Sequence, residues 1–172
     1  MSIKVSTFAQ VITNPLNKHN FVVDIPGAET TSIVVQSTTF PSEQLQEVVL
    51  HYQGEEIVYP TIPKQDHSWK ISVPENDSGS IKKELDSLKN IMYEQNTGIF
   101  TPGLWKTVKV HARDLAGNIV FSVNLHGVWL KGRSSVDLSN SDATQNWEWD
   151  YEFVYQYITD NNGDNSKSEA PM

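Results

Sequence analysis

The chain has 172 residues, a hydrophobic content of 38% and a formal net charge of −8, which predict one soluble domain with its own core. It contains no cysteine, which excludes disulfides and thiol catalysis and fits a reducing compartment. No apolar run reaches the roughly 18 residues of a membrane-spanning helix, and residues 1–10 lack the apolar stretch of a secretory signal.

The negative charge lies mainly in the C-terminal part of the chain. Residues 1–133 carry 13 acidic and 12 basic side chains, whereas residues 134–172 carry eight acidic side chains and one basic side chain, Lys167. Tight binding to nucleic acid depends mostly on neutralising phosphates. The composition therefore argues against such binding there and predicts a solubilising surface with an acidic tail.

The N-terminal half reads as strands followed by an unusual hairpin. Residues 20–25 and 31–39 are rich in β-branched side chains and end before Pro26 and Pro41, which predicts two strands. Residues 46–59 predict a hairpin with a tight turn at Gln53-Gly54 that ends at Pro60.

The hairpin over residues 46–59 carries apolar side chains on both predicted faces. Three apolar residues are consecutive in each strand, so alternation places some of them on either side. A monomer covers one face of a hairpin at most, so this one needs cover from a partner. The side chains concerned are Val48, Val49, Leu50, Tyr52, Ile57, Val58 and Tyr59.

One convincing helix follows the strand predicted over residues 67–73. Residues 80–96 carry an apolar stripe at helical spacing, Ile81, Leu85, Leu88 and Met92, and polar residues elsewhere. Asp77, Ser78 and Ser80 are the predicted N-caps. A single stripe predicts a helix that packs on one face of a sheet.

The C-terminal half predicts a second hairpin and one long strand. Residues 105–114 and 119–130 flank a turn that contains Gly117, and residues 134–145 read as a loop. In residues 147–157 every second residue is aromatic, which predicts one strand about 36 Å long. The aromatic side chains, which form one face, are Trp147, Trp149, Tyr151, Phe153, Tyr155 and Tyr157.

These elements add up to a mainly β chain. About eight strands and one flanking helix predict an antiparallel β-sandwich or barrel. Residues 1–17 are an N-terminal lead, residues 18–158 the domain, and residues 159–172 a tail that we expect to be disordered because it lacks core-forming side chains.

The sequence contains few motifs that are typical of catalysis or of ligand binding. It has no phosphate-binding glycine loop, nucleophile elbow or metal-ligand spacing among its five histidines. His111 and His126 face each other across the predicted second hairpin, where ordinary cross-strand packing outweighs a metal pair. No catalytic residue, metal or cofactor is therefore predicted.

Glu148, Asp150 and Glu152 alternate with the aromatic residues and form the most suggestive carboxylate cluster. Neighbours on one strand face lie about 7 Å apart, a separation that inverting glycosidases use. The aromatic platforms that a glycan site needs are on the opposite face, which favours a solvated or lumen-facing acidic strand. Trp69, Trp105 and Trp129 are an alternative carbohydrate platform, although buried tryptophans are usual in a β core.

The order of elements resembles the tail tube proteins of contractile-tailed bacteriophages. The likeness covers roughly residues 17–158 and is carried by FPSEQLQEVVLHYQGEEIVYP, by DHSWKISVPEND, and by LHGVWLKGRSSVDLSNSDATQNWEWDYEFVYQY. Baseplate tube proteins and the tubes of bacterial secretion and contractile injection systems share the fold. The polar tail after Ile158 and the long lead over residues 1–17 depart from the pattern.

The resemblance implies a structural virion protein rather than an enzyme. Such subunits form hexameric rings that stack into a hollow tube for DNA, inside a sheath and between baseplate and terminator proteins. It implies assembly in the host cytoplasm, with the hairpin over residues 46–59 touching the neighbouring ring. An acidic lumen lined by Glu148, Asp150 and Glu152 would repel DNA phosphates.

Three alternatives remain open from the sequence. A tube protein of a bacterial injection or secretion system belongs to the same structural class. A β-sandwich carbohydrate-binding module would use the tryptophans, and a glycan hydrolase would use Glu148 and Asp150.

Overall fold

A computed structural model describes residues 16, 18–94, 96–101, 106–139 and 146–161, without the side chains of Glu43 and Asn161. Within these ranges the fold consists of antiparallel strands and two helices. In chain order the elements are β1 Phe21–Asp24, α1 Glu29–Val34, β2 Ser37–Thr38, β3 Glu43–Tyr52, β4 Glu55–Gln65, β5 Ser68–Pro74, α2 Ser80–Met92, β6 Tyr93–Glu94, β7 Ile99–Phe100, β8 Lys106–Arg113, β9 Ile119–Arg133, β10 Glu148–Val154 and β11 Tyr157–Asn161.

One large sheet organises the domain. Its strands follow the order β1-β8-β9-β10-β5-β2, and β11 also pairs with β9. Every pairing in it is antiparallel. The 15-residue strand β9 joins two halves, because β8 and β11 flank its first part while β10 pairs with its last part. The mainly antiparallel β fold predicted from the sequence is confirmed.

The core lies between the sheet and α2. The predicted stripe of α2 is buried, as are the inward residues of β5 and the central aromatic residues of β10. Period-two alternation in the strands and period 3.6 in the helix therefore meet in one apolar layer. The largest fully buried side chains are Trp69, Tyr151, Tyr155 and Phe153.

The predicted long aromatic strand is interrupted after Val154. β10 and β11 nevertheless keep one register along β9, since Val154 lies opposite Trp129 and Tyr157 lies opposite His126. At this level Gly127 has a φ of +64°, and the inward face of β9 switches from odd positions before it to even positions after it. Tyr157 is consequently exposed. Trp147, which precedes β10, is exposed as well, while the four aromatic side chains between them are buried.

Several predicted boundaries were wrong for physical reasons. Residues 31–34 belong to α1 rather than to a strand, because a distant carboxylate caps that short helix, as shown below. The helix α2 ends at Met92, four residues before the predicted end. β11 runs to Asn161, so Thr159 and Asp160, which were assigned to the tail, pair with β9.

Other predictions lie partly outside the described residues. These are the lead over residues 1–15 and 17, the tail from residue 162 onward, and Trp105, which was placed at the start of the second hairpin. Within the described ranges, neither helix is long and apolar enough to cross a membrane.

Candidate assembly surfaces

The most conspicuous surface is the hairpin of β3 and β4, which we call the arm. Within the described part of the chain these strands pair only with each other and form a separate two-stranded sheet. The predicted turn is confirmed, with φ of 50° at Gln53 and 84° at Gly54, the left-handed pair that a tight hairpin turn requires. A ribbon of this kind is marginal unless another layer covers it.

The arm is longer than predicted, because β4 continues beyond Pro60 to Gln65. The register shifts between Leu45 and Glu47, and the Thr61 hydroxyl donates to the carbonyl of Gln46 at 3.0 Å. Prolines are tolerated at sheet edges and bulges because they lack only a donor that such positions leave unused. Pro60 therefore did not end the strand.

The register of the arm separates two faces of different character. On the first, which we call face A, Val48 lies opposite Tyr59 and Leu50 opposite Ile57. Tyr52 extends face A toward the turn. On the second, face B, the pair of Val49 and Val58 is accompanied by polar residues. Those residues are Glu47, His51 and Glu56.

Both faces of the arm are open to solvent in this chain. The exposed fractions are 52% for Leu50 and 66% for Tyr52 on face A, and 54% for Val58 on face B. Contiguous exposed apolar surface on a soluble protein usually marks an interaction site. The seven apolar residues predicted to form a contact thus lie together on one exposed element, and their role as an interface stays a prediction.

The predicted carboxylate cluster lies on the face of β10 that points away from the core. Glu148 and Asp150 are exposed, and Glu152 is half-buried. The face is less purely acidic than the sequence suggested. In register, Lys70 of β5 lies opposite Glu152, and Lys131 of β9 forms an ion pair with Glu152 at 3.1 Å.

A bulge brings Lys131 to Glu152. Between Glu152 and Phe153 the register shifts, so Lys131 and Gly132 together oppose Glu152. The Lys131 ammonium and the Ser68 hydroxyl, at 2.9 Å, hold the pKa of Glu152 below its ordinary value. Glu152 is thus kept ionised, which is the opposite of what a general acid needs.

The histidine pair suggested by the sequence does not form. His111 lies opposite Ser122 in the sheet, while His126 contacts Thr159 at 2.8 Å and stacks on the ring of Tyr157. The tryptophan platform is also wrong for Trp69, which is fully buried in the core. The described residues include no cluster of three or more side chains that could hold a metal ion.

Sequence reasoning missed Glu75, the residue that caps α2. Its carboxylate accepts hydrogen bonds from the backbone N–H groups of Asn76, Ile81 and Lys82 and from the indole N–H of Trp149. Burial alone would raise the pKa of Glu75, but these hydrogen bonds lower it below its ordinary value. The predicted cap residues do not take this role, and the N-cap position is Gly79 with a φ of +65°.

A second carboxylate joins the two helices. Glu84 of α2 accepts hydrogen bonds from the N–H groups of Thr30 and Thr31 and from the Thr31 hydroxyl, at 3.1, 2.7 and 2.6 Å. It thereby satisfies donors in the first turn of α1. The position of Glu75, just after a strand and before a helix, could have predicted its capping role from the sequence. The contact of Glu84 with α1 could not be predicted in this way, because 53 residues separate Glu84 from Thr31.

Among the comparisons with known proteins, only the one with solved structures finds matches. No protein-family model matches the chain, and no curated protein matches it. A chain in the 6-fold symmetrised baseplate of the anti-feeding prophage matches with a TM-score of 0.67 and 15% identity. That match covers 87% of this chain and 97% of the other.

Two further structures agree. A chain of the sheath-tube complex of PVC, an extracellular contractile injection system, matches with a TM-score of 0.64 and 14% identity over 94% of this chain and 99% of that one. A chain of the anti-feeding prophage tube-terminating cap matches with a TM-score of 0.63 and 10% identity over 95% of each. This chain shares its fold with chains of these three assemblies. The resemblance predicted from the sequence is thereby confirmed at the level of the fold.

Proposed function

We propose that this chain is a structural subunit of a tube built from stacked rings of identical copies. The observation that carries the proposal is the arm, whose two exposed faces bear apolar side chains that one subunit leaves uncovered. The shared fold supports it independently. An obligate assembly explains why such a surface persists, because other copies would bury it.

Ring formation would use the open edges of the main sheet. Among the residues that the structure describes, β1 pairs only with β8 and β2 only with β5, so each outer strand has a side that no described strand pairs with. Unpaired strand edges favour uncontrolled pairing, and closure into a ring removes them. We propose a hexameric ring, in which the sheets of six subunits join into one inner wall.

The face of β10 that carries Glu148, Asp150 and Glu152 would line the channel. The opposite face of the strand is committed to the core, so these side chains are available to a lumen. Lys131 offsets part of the charge at Glu152, which leaves Glu148 and Asp150 as the main source of negative potential. Such a wall would deny DNA the cations to which its phosphates bind.

In its finer form the proposal is a phage tail tube that conducts DNA into the host. A sheath would surround the tube, and baseplate and terminator proteins would close its ends. The subunit would be made and assembled in the host cytoplasm and reside in the virion. It would act without catalysis or cofactor.

A tube of a non-viral contractile injection system is the second candidate. The structures that match include parts of the anti-feeding prophage and of an extracellular contractile injection system, and this fold likeness favours the second candidate. The two candidates share the ring and the stack and differ in what passes through the channel.

Electron microscopy of the purified protein tests the common proposal. We expect rings or tubes in negative stain from the wild-type chain. Leu50→Asp places a charge on face A, and Val58→Asp places one on face B, so each variant should shorten or abolish tubes while leaving a folded protein. Particles that stay monomeric at high protein concentration would refute the proposal.

A charge reversal tests the channel. Glu148→Lys with Asp150→Lys changes the two carboxylates that have no lysine opposite them in register, and it leaves the Glu152–Lys131 pair intact as an internal control. Assembled tubes of this variant should bind duplex DNA, and the binding should weaken as salt rises. Binding that equals the wild-type level would place these side chains outside the channel.

A further inference from the structure

A second apolar surface lies on the main domain, at the root of the arm. The rings of Phe40 and Phe121 meet with centroids 5.4 Å apart. Together with Leu16, Phe21 and Ala112 they line a groove of about 300 Å³. Leu16 and Phe40 are 41% and 40% exposed, so the groove is open to solvent.

We propose that this groove receives face A of the arm from a second copy of the chain. The inference rests on the proposed function and names the surface that the arm would contact. Face A carries exposed apolar side chains, and the groove is a largely apolar concave surface on the same molecule. Filling it with Leu50 and Ile57 would remove apolar area of both partners from water, which stabilises association.

The charges at the two surfaces are complementary. The arm, residues 43–65, carries four glutamates and one lysine, Lys64, which lies opposite Gln44 at the end of the arm away from the turn. The groove is bordered by Lys18, and a neighbouring cavity that shares Phe21 with it is bordered by Arg113 and Asp114. Within the described residues neither cation has an ion-pair partner. Glu55, which lies opposite Tyr52 on face A, is the carboxylate placed to reach this rim.

The arm cannot fill its own groove. Phe40 lies three residues before the first residue of β3, and Leu50 lies seven residues beyond that residue, which in an extended strand is about 23 Å. The ribbon would have to fold back on itself to bring Leu50 to Phe40. Contact with another copy joins two different surfaces, so the interaction is heterologous and passes from copy to copy.

The absence of cysteine from the chain makes a direct test possible. Leu50→Cys and Leu16→Cys are made in separate chains, mixed, assembled and oxidised. A covalent heterodimer is expected from the mixture only, since each single variant alone lacks the complementary thiol. Val58→Cys, which has a similar exposed fraction but lies on face B, is the matched control and should cross-link with Leu16→Cys far less.

A charge exchange provides a second readout that does not depend on packing. Glu55→Lys and Lys18→Glu should each reduce tube length at low salt, and the double variant should restore part of it, because the pair is re-formed with the signs exchanged. Both residues are exposed, so loss of folding is not expected.

The outcomes separate this inference from the proposal on which it rests. Tubes without the Leu50–Leu16 cross-link, and without rescue in the double variant, overturn the inference and leave the tube proposal intact. The inference is also overturned if Val5→Cys cross-links to Leu16→Cys of another copy while Leu50→Cys does not. That result would assign the groove to the N-terminal segment instead of the arm. Failure of the wild-type chain to assemble overturns both.

Discussion

The arm and the core layer contain similar apolar residues in different environments. In the core, Leu85 and Leu88 of α2 are buried against the sheet, whereas in the arm Leu50 and Ile57 face solvent. Each set follows the periodicity of its own element, and the difference is the presence of a second layer. Core substitutions should therefore lower the free energy of unfolding, whereas arm substitutions should weaken tube assembly. Single substitutions test this division between stability and assembly.

The largest effect on stability is expected from Leu88→Ala. Leu88 is 3% exposed, and removing a buried leucine side chain leaves a cavity that usually costs about 2–5 kcal/mol. Chemical denaturation of protein kept unassembled by Leu50→Asp gives the free energy of unfolding. A loss below about 1 kcal/mol would show that α2 does not pack on the sheet as described.

Glu75→Gln should have a smaller effect that depends on pH. The capping carboxylate contributes roughly 0.5–2 kcal/mol in comparable helices. Because the pKa of Glu75 is lowered in the folded state from its ordinary value of 4.5, its contribution is present above that value and is lost as the pH falls through the folded-state pKa.

Denaturation of wild type and Glu75→Gln at a series of pH values checks this prediction. The two stability curves should be separated at neutral pH and should converge in acid. Curves that stay parallel over the whole range would mean that the amide replaces the carboxylate fully and that charge is not involved.

Lys131→Met should change the titration of one carboxylate and little else. The pKa of Glu152 is lowered chiefly by Lys131, with Ser68 as the next contributor, so the variant should raise it toward its ordinary value. Carboxyl-detected NMR of the unassembled domain measures the change. An unaltered pKa would show that the Glu152–Lys131 contact does not persist in solution.

The smallest effect on folding is expected from Leu50→Ser in the arm. Leu50 is 52% exposed, and surface substitutions usually stay within about 0.5 kcal/mol of wild type. Tube formation should nevertheless weaken, because face A loses its central side chain. If this variant destabilises the monomer as strongly as Leu88→Ala, the arm is part of the core and the division is wrong.

Much of this organisation could be predicted from local patterns. The aromatic alternation around Tyr151, the stripe of α2 and the turn at Gly54 each depend on residues close in sequence, and the structure confirms all three. The same holds for the exposed apolar character of the arm, since period two fixes which side chains share a face once the turn sets the register.

Contacts between residues far apart in the sequence determined the features that local patterns did not predict. Residues 31–34, three of which are β-branched, form part of a helix because Glu84 satisfies the first N–H groups of that helix. Glu75 displaces the expected caps because Trp149 and α2 converge on it. Strand pairing also produces the inversion of faces at Gly127 and the bulge that places Lys131 beside Glu152. Propensity is a weak preference of the local chain, and a satisfied buried polar group or a fixed strand register outweighs it.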